Sequence, residues 1–236
     1  MAILEKIKLI TKNRFTTCKN PFDEISLDYI NNNTFIFEKG RIYGIVCEHG
    51  GGGEFISSIL SSRIECLQEK IYIDNREVSF YDIQKISWYV GDSVYSKGRI
   101  KREISVRKAL DYSIKKHQRY KNINEIINEF HLTPGRLNYS ISKYSWERWR
   151  ASLAIGYASN RKVYCFPWMN TLLFYDCMRN SSVYTFFNKF KDEGSIIILP
   201  TSRHENLEGL VDEIIEISDS RFETVISNYE HFYEYF

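Results

Sequence analysis

Gly50-Gly51-Gly52-Gly53 is the stretch whose residue types could do chemistry. It lies between an apolar run at 42–46 and a helix-like run at 55–63. Strand, glycine loop and helix is the layout of a phosphate-binding loop, in which backbone N–H groups and a helix N-terminus face an anion. A loop that works on a nucleoside triphosphate reads Gly-x-x-x-x-Gly-Lys-Ser/Thr, with the lysine on the β/γ phosphates and the hydroxyl on Mg²⁺. Here Gly53 stands at the lysine position, and Glu54 and Phe55 stand where the hydroxyl belongs. Glycine cannot neutralise a γ-phosphate, and a carboxylate beside one repels it. Glu48 opposes an anion as well. The four glycines read as a degenerate phosphate loop with no cofactor expected and no metal site, the alternative being a residual anion or Mg-ATP site at the helix N-terminus.

The remaining chemistry-bearing types are scattered. Cys18, Cys47, Cys66, Cys165 and Cys177 are odd in number and lack C-x-x-C spacing, as free thiols of a reducing compartment would be. His49 reads as a loop-surface histidine, and Trp146, Trp149 and Trp168 as packing residues. Lys97, Arg99, Lys101 and Arg102 form a basic run that reads as a solvated loop or as a contact to a partner or lipid surface.

The elements that must position the loop follow from the apolar pattern. Over 236 residues, 43% are hydrophobic, enough for a large core. The net charge of +2 gives no argument for a nucleic-acid partner. No apolar run approaches the roughly 18 residues that span a bilayer, and Met1-Ala2-Ile3-Leu4-Glu5-Lys6 lacks the apolar region of a secretion signal. Strands are expected at 7–10, 34–37, 42–46, 86–90, 163–166, 195–199, 214–217 and 224–226, with a hairpin formed by 70–73 and 77–80 around Asp74-Asn75. Helices are expected at 55–60, 104–131, 146–158, 182–190 and 205–211. Helices alternating with apolar strands predict an α/β fold with a mostly parallel sheet.

The order of these segments resembles the ATP-binding subunit of an ABC transporter over nearly the whole chain. Gly40-Arg41-Ile42-Tyr43-Gly44-Ile45-Val46 is similar to that family's approach to the phosphate loop. Trp88-Tyr89-Val90-Gly91-Asp92 is similar to the segment ending in its Q-loop, and Ile104-Ser105-Val106-Arg107-Lys108-Ala109-Leu110 to the start of its helical subdomain. Tyr144 to Ala154 resembles the signature motif and its helix, Val163-Tyr164-Cys165-Phe166-Pro167-Trp168 the Walker B strand, and 195–202 the switch strand. The resemblance implies the ABC ATPase fold: a P-loop NTPase-like core at 1–85 and 159–236, with an antiparallel β subdomain, and an inserted helical subdomain at 86–158.

It also implies what is missing. Asp92 stands at the position of the family's glutamine, Pro167 at the Mg²⁺-binding aspartate, Trp168 at the general-base glutamate and Ser202 at the switch histidine, with His204 two residues on. Proline and tryptophan can neither accept a proton nor bind a hard cation. The signature serine is Ser145 in one register and shifts by one residue in another. In either register Trp146 or Glu147 sits where glycine lets backbone approach phosphate. The implied function is a non-catalytic structural or regulatory subunit of a membrane transport complex. It would pair with a second nucleotide-binding subunit, identical or different, dock through residues 86–154 on a separate permease, and lie at the inner face of the cell membrane. The alternatives are a divergent ATPase completed by a competent partner, and a scaffold outside transport.

Overall fold

A computed structural model describes residues 4–21, 25–96 and 100–217. The elements are, in order, β1 (Lys6–Ile10), β2 (Arg14–Lys19), β3 (Ile25–Ile30), β4 (Thr34–Glu38), β5 (Ile42–Val46), α1 (Gly53–Leu60), β6 (Lys70–Ile73), β7 (Arg76–Val78), α2 (Phe80–Ile86), β8 (Ser87–Tyr89), α3 (Val106–His117), α4 (Ile123–Glu129), α5 (Arg148–Ala158), β9 (Val163–Cys165), α6 (Thr171–Tyr175), α7 (Phe187–Asp192), β10 (Ile196–Thr201) and β11 (Glu213–Glu216). The expected strand at 224–226 and the basic positions Lys97 and Arg99 lie outside the described residues.

The centre is a five-stranded parallel sheet in the order β11-β5-β10-β9-β8. Parallel strands covered on both faces read as unbroken apolar runs, and β10 buries all six of its residues. Its side chains divide between two cores by their period of two. Ile196 and Ile198 join the core built on α1, with Phe55, Ile56 and Ile59. Ile197 and Leu199 join the helical side, with Tyr157, Tyr164 and Phe190. An antiparallel sheet in the order β4-β1-β6-β7 adds Ile7, Leu9, Phe35 and Phe37 to the α1 core. The α/β class with a mostly parallel sheet is as expected.

The local departures have identifiable causes. The stretch expected to be one helix over 104–131 is two. Gln118 adopts a left-handed backbone with φ +53° and ends α3, and the Asn122 side chain caps α4 by accepting from the Asn124 and Glu125 N–H groups. The second strand of the expected hairpin stops at Val78, because Ser79 and Asp82 form a capping box that starts α2. The helix expected at 205–211 is a single 3₁₀ turn, His204–Leu207, followed by Gly209 at φ +68°. The hairpin β2–β3, pairing Arg14 with Ile30 through Lys19 with Ile25, is the largest addition to the expected segments.

Helix α5 is buried along its entire length. It is tied to the sheet edge through Ser152, whose Oγ accepts from Trp88 Nε1 at 3.0 Å and from the Gly91 N–H at 2.8 Å. Ser152→Ala leaves the buried Gly91 N–H and the part-buried Trp88 indole N–H without this acceptor. It is expected to lower unfolding stability by about 2 kcal/mol in a denaturant titration.

Candidate functional site

The loop 47–52 leaves β5 at the carboxyl end of the parallel strands, where open α/β sheets place their ligands. Its backbone is closed by the Gly51 N–H donating to the Glu48 carbonyl at 2.9 Å and by the Cys47 N–H donating to the Thr201 carbonyl at 3.1 Å. Gly50 and Gly52 have φ of +76° and +100°, which side chains rarely adopt. Helix α1 then starts at Gly53, with Glu54 in its first turn.

Gly53 has no space beside it. A Cβ there would lie 2.7 Å from Cys47 Sγ, 2.9 Å from Pro200 Cβ and 3.1 Å from Trp168 Cδ1. The Trp168 indole is fixed across this position, its Nε1–H donating to the Cys47 carbonyl at 3.0 Å. The His49 ring sits edge-on to it, 4.9 Å between centroids.

Glu54 is 4% exposed and points into the same cleft. Its Oε2 accepts from the Trp168 backbone N–H at 2.8 Å, and its Oε1 accepts from Ser58 Oγ at 3.1 Å and from the Tyr89 hydroxyl. Burial outweighs these bonds and pushes its carboxyl up to about 7. The sequence marks Glu54 as a charge that repels phosphate. The fold makes it a buried acid joining α1, β8 and the turn after β9.

The other expected positions gather around this centre. Asp92 forms an ion pair with Arg63, Nε to Oδ2 at 3.1 Å, and the same guanidinium lies 4.0 Å from Glu54 and 4.2 Å from the Tyr89 ring centroid. A cavity of about 690 Å³ opens beside Asp92, lined by Arg63, Trp88, Lys116 and Arg161 among others, and none of the loop glycines borders it. Pro167 precedes Trp168 after β9, and Ser202 donates its N–H to the Met169 carbonyl at 3.3 Å. His204 pairs at the surface with Glu216, 2.8 Å away. Among the described residues no group of three or more His, Cys, Asp or Glu could hold a metal ion, and no helix is long and apolar enough to cross a membrane.

The segment before α5 turns its carboxylate inward. Glu147 is fully buried and accepts from the Thr133 N–H. Trp146 is half exposed, with the Arg150 and Arg136 guanidinium groups 4.9 and 5.8 Å from its ring. Ser145 accepts from Arg136 at 3.1 Å. A cavity of about 680 Å³ is lined here by Tyr144, Ser145, Trp146, Arg148, Trp149 and Leu173 among others. Trp149 is buried and closes over Gly91.

One residue of the site escapes sequence reading altogether. Asp28, on β3, is 1% exposed. Its Oδ1 accepts from the Gly52 N–H at 3.0 Å and its Oδ2 from the Phe55 N–H at 2.6 Å. The Tyr29 N–H beside it donates to the Gly50 carbonyl at 2.9 Å. The sequence signal that exists is a lone acid in the apolar context Leu27-Asp28-Tyr29-Ile30.

No family model matches the chain, and no curated protein matches it in sequence. Solved structures do match in shape. An ATP-binding subunit of an ABC transporter superposes with a TM-score of 0.62 at 12% identity, covering 90% of this chain and 86% of that one. A dimeric ATP-binding cassette in a post-hydrolysis state, bound to ADP and Pi, gives 0.63 at 16% identity, covering 90% and 94%. A bacterial Atm1-family ABC exporter with ATP bound gives 0.61 at 12% identity, covering 93% of this chain and 38% of that one. Likeness at these identities is one of fold, and the fold of this chain is that of an ABC transporter ATP-binding cassette.

Proposed function

We propose that this chain is a non-catalytic subunit of a membrane transport complex, a cassette whose phosphate-loop, metal-binding and switch chemistry is gone while its shape serves assembly. One observation carries the reading: a Cβ at position 53, the first atom of a lysine side chain there, would lie 2.7 Å from Cys47 Sγ, 2.9 Å from Pro200 Cβ and 3.1 Å from Trp168 Cδ1. A missing cation alone could be supplied by a neighbour. Here the obstruction lies in the chain itself, where even a Cβ at position 53 meets three of its own residues. Glu54 supports the same reading, since its carboxyl holds the protein's own N–H and O–H donors together. Phosphoryl transfer rests on positioned positive charge and a base. Asp92, Pro167, Trp168 and Ser202 provide neither at the loop.

A fold retained without its chemistry is retained for its surfaces. The partners are a second nucleotide-binding subunit, identical or different, and a separate permease chain at the inner face of the membrane. The division into a core of 1–85 and 159–236 and a helical subdomain of 86–158 belongs to this proposal, with 86–154 as the surface turned to the permease. The test is a thermal-shift titration of the purified chain with Mg-ATP. No shift is expected. Saturable binding at 100 times Kd would add about 2.7 kcal/mol, and a shift of that size would overturn the reading.

A further inference from the structure

We propose that Asp28 is the resident anion of the glycine loop: its carboxylate takes the place of a phosphate oxyanion at the start of α1 and latches the β2–β3 hairpin over the loop. The inference rests on the reading of the loop as one that no longer serves nucleotide, and it says what serves instead.

The geometry is that of anion capture. Backbone N–H groups at a helix N-terminus, aided by the helix dipole, form a site for negative charge. Two of them, on Gly52 and Phe55, converge on the two oxygens of one carboxylate at 3.0 and 2.6 Å. The carboxylate is buried, and these charge-assisted bonds contribute to the compensation that burial of a charge requires. The loop glycines acquire a second reason to exist. A Cβ on Gly52 would lie 2.7 Å from Ile30 Cδ1 and 3.0 Å from the Tyr29 carbonyl oxygen, so Gly52 is bare because β3 rests on it.

The hairpin is held down along its length. The Tyr29 N–H reaches the Gly50 carbonyl, Arg63 donates to the Lys19 carbonyl, and Arg148 donates to the Pro21 carbonyl at 2.7 Å. Cys18, on β2, is buried on the hairpin's inner side, its thiol pushed up to about 12 by burial first and by Asp28 and Glu54 after it. The latch therefore joins a segment near the start of the chain to the helix that follows the loop.

The experiment compares the full-length wild type with Asp28→Ala and Asp28→Asn by thermal unfolding, with inorganic phosphate against potassium chloride of equal ionic strength. Asp28→Ala empties the anion position, and Asp28→Asn fills it with a neutral group whose oxygen still accepts from one N–H while its NH₂ faces the other. Both variants are expected to melt about 5–10 °C lower. Phosphate is expected to restore a saturable part of that loss in Asp28→Ala, and to do nothing for Asp28→Asn or the wild type. A melting temperature of Asp28→Ala within about 1 °C of wild type would overturn the proposal. So would a folded Asp28→Ala that ignores phosphate, or an equal gain in all three proteins. If Asp28→Ala does not fold, amide exchange in Asp28→Asn decides: at least about tenfold faster exchange at Gly52 and Phe55 supports the latch, and unchanged exchange refutes it. Wild-type binding of Mg-ATP would defeat the functional reading, whereas these comparisons contain no nucleotide and test the latch separately.

Discussion

Gly53→Lys, which places a lysine at the position where a working phosphate loop carries one, is expected to destabilise the chain by more than about 3 kcal/mol and to yield no ATP hydrolysis. The reason is steric before it is chemical. A single methyl group at this position already meets Cys47 Sγ at 2.7 Å and Pro200 Cβ at 2.9 Å. Pro200 belongs to β10, which pairs with β5 and β9 and cannot retreat without opening the sheet. Gly53→Ala alone should therefore show the overpacking penalty of about 1–3 kcal/mol. Lysine adds a longer chain and a charge that the same packed cleft must take. Denaturant midpoints of the two variants, read beside their ATPase rates, check both halves of the expectation. A stable Gly53→Lys protein that binds Mg-ATP would mean that the cleft is open and that Trp168 is a movable cover.

Replacing Glu54 with glutamine is expected to change the shape of the stability–pH curve. The folded-state carboxyl is pushed up to about 7 from an ordinary 4.5, chiefly by burial. Between these two values the folded chain holds a proton that the unfolded chain has released. Stability at this site is therefore greatest at acid pH, falls as pH rises from about 4.5, and levels off above about 7. The full span is on the order of 3 kcal/mol, since each pH unit between the two values contributes about 1.4 kcal/mol. Glu54→Gln cannot titrate and removes this downward slope. Its baseline also falls, because Trp168 N–H, Ser58 and Tyr89 all donate to Glu54 and an amide accepts at one oxygen only. The comparison of slopes is insensitive to that offset. Parallel curves for wild type and variant between about pH 5 and pH 8, at roughly the spacing set by the lost bonds alone, would place Glu54 in water and the cleft with it.

The parallel sheet was legible because its strands carry their own signal. Residues 42–46 and 195–199 are apolar almost without interruption, as strands covered on both faces must be. The loop was legible from four successive glycines. The β2–β3 hairpin was not, because its alternation is inverted. Phe15, Ile25 and Leu27 face outward while Cys18 and Asp28 face inward, so the apolar period points away from the buried side. Asp28 could not be assigned a role for a related reason. Its donors lie 24 and 27 residues further along the chain and are backbone groups, which carry no sequence letter. At Glu54 the charge was readable and its burial was not, since that depends on Tyr89 from β8 and Trp168 from the turn after β9. The helix breaks at Gln118 and Gly209 were lost because φ is a property of the folded backbone, and glutamine is a poor marker for a left-handed residue.

The central claim is that the chain's own groups occupy the cleft at residues 47–55. Amide and indole resonances of Gly50 to Gly53 and of Trp168 Nε1–H report directly on that cleft, the latter through its bond to the Cys47 carbonyl. Titration with Mg-ATP to millimolar concentration should leave these signals where they stand. Saturable shifts of the glycine amides, together with loss of the Trp168–Cys47 bond, would show a nucleotide entering the loop and would contradict the account.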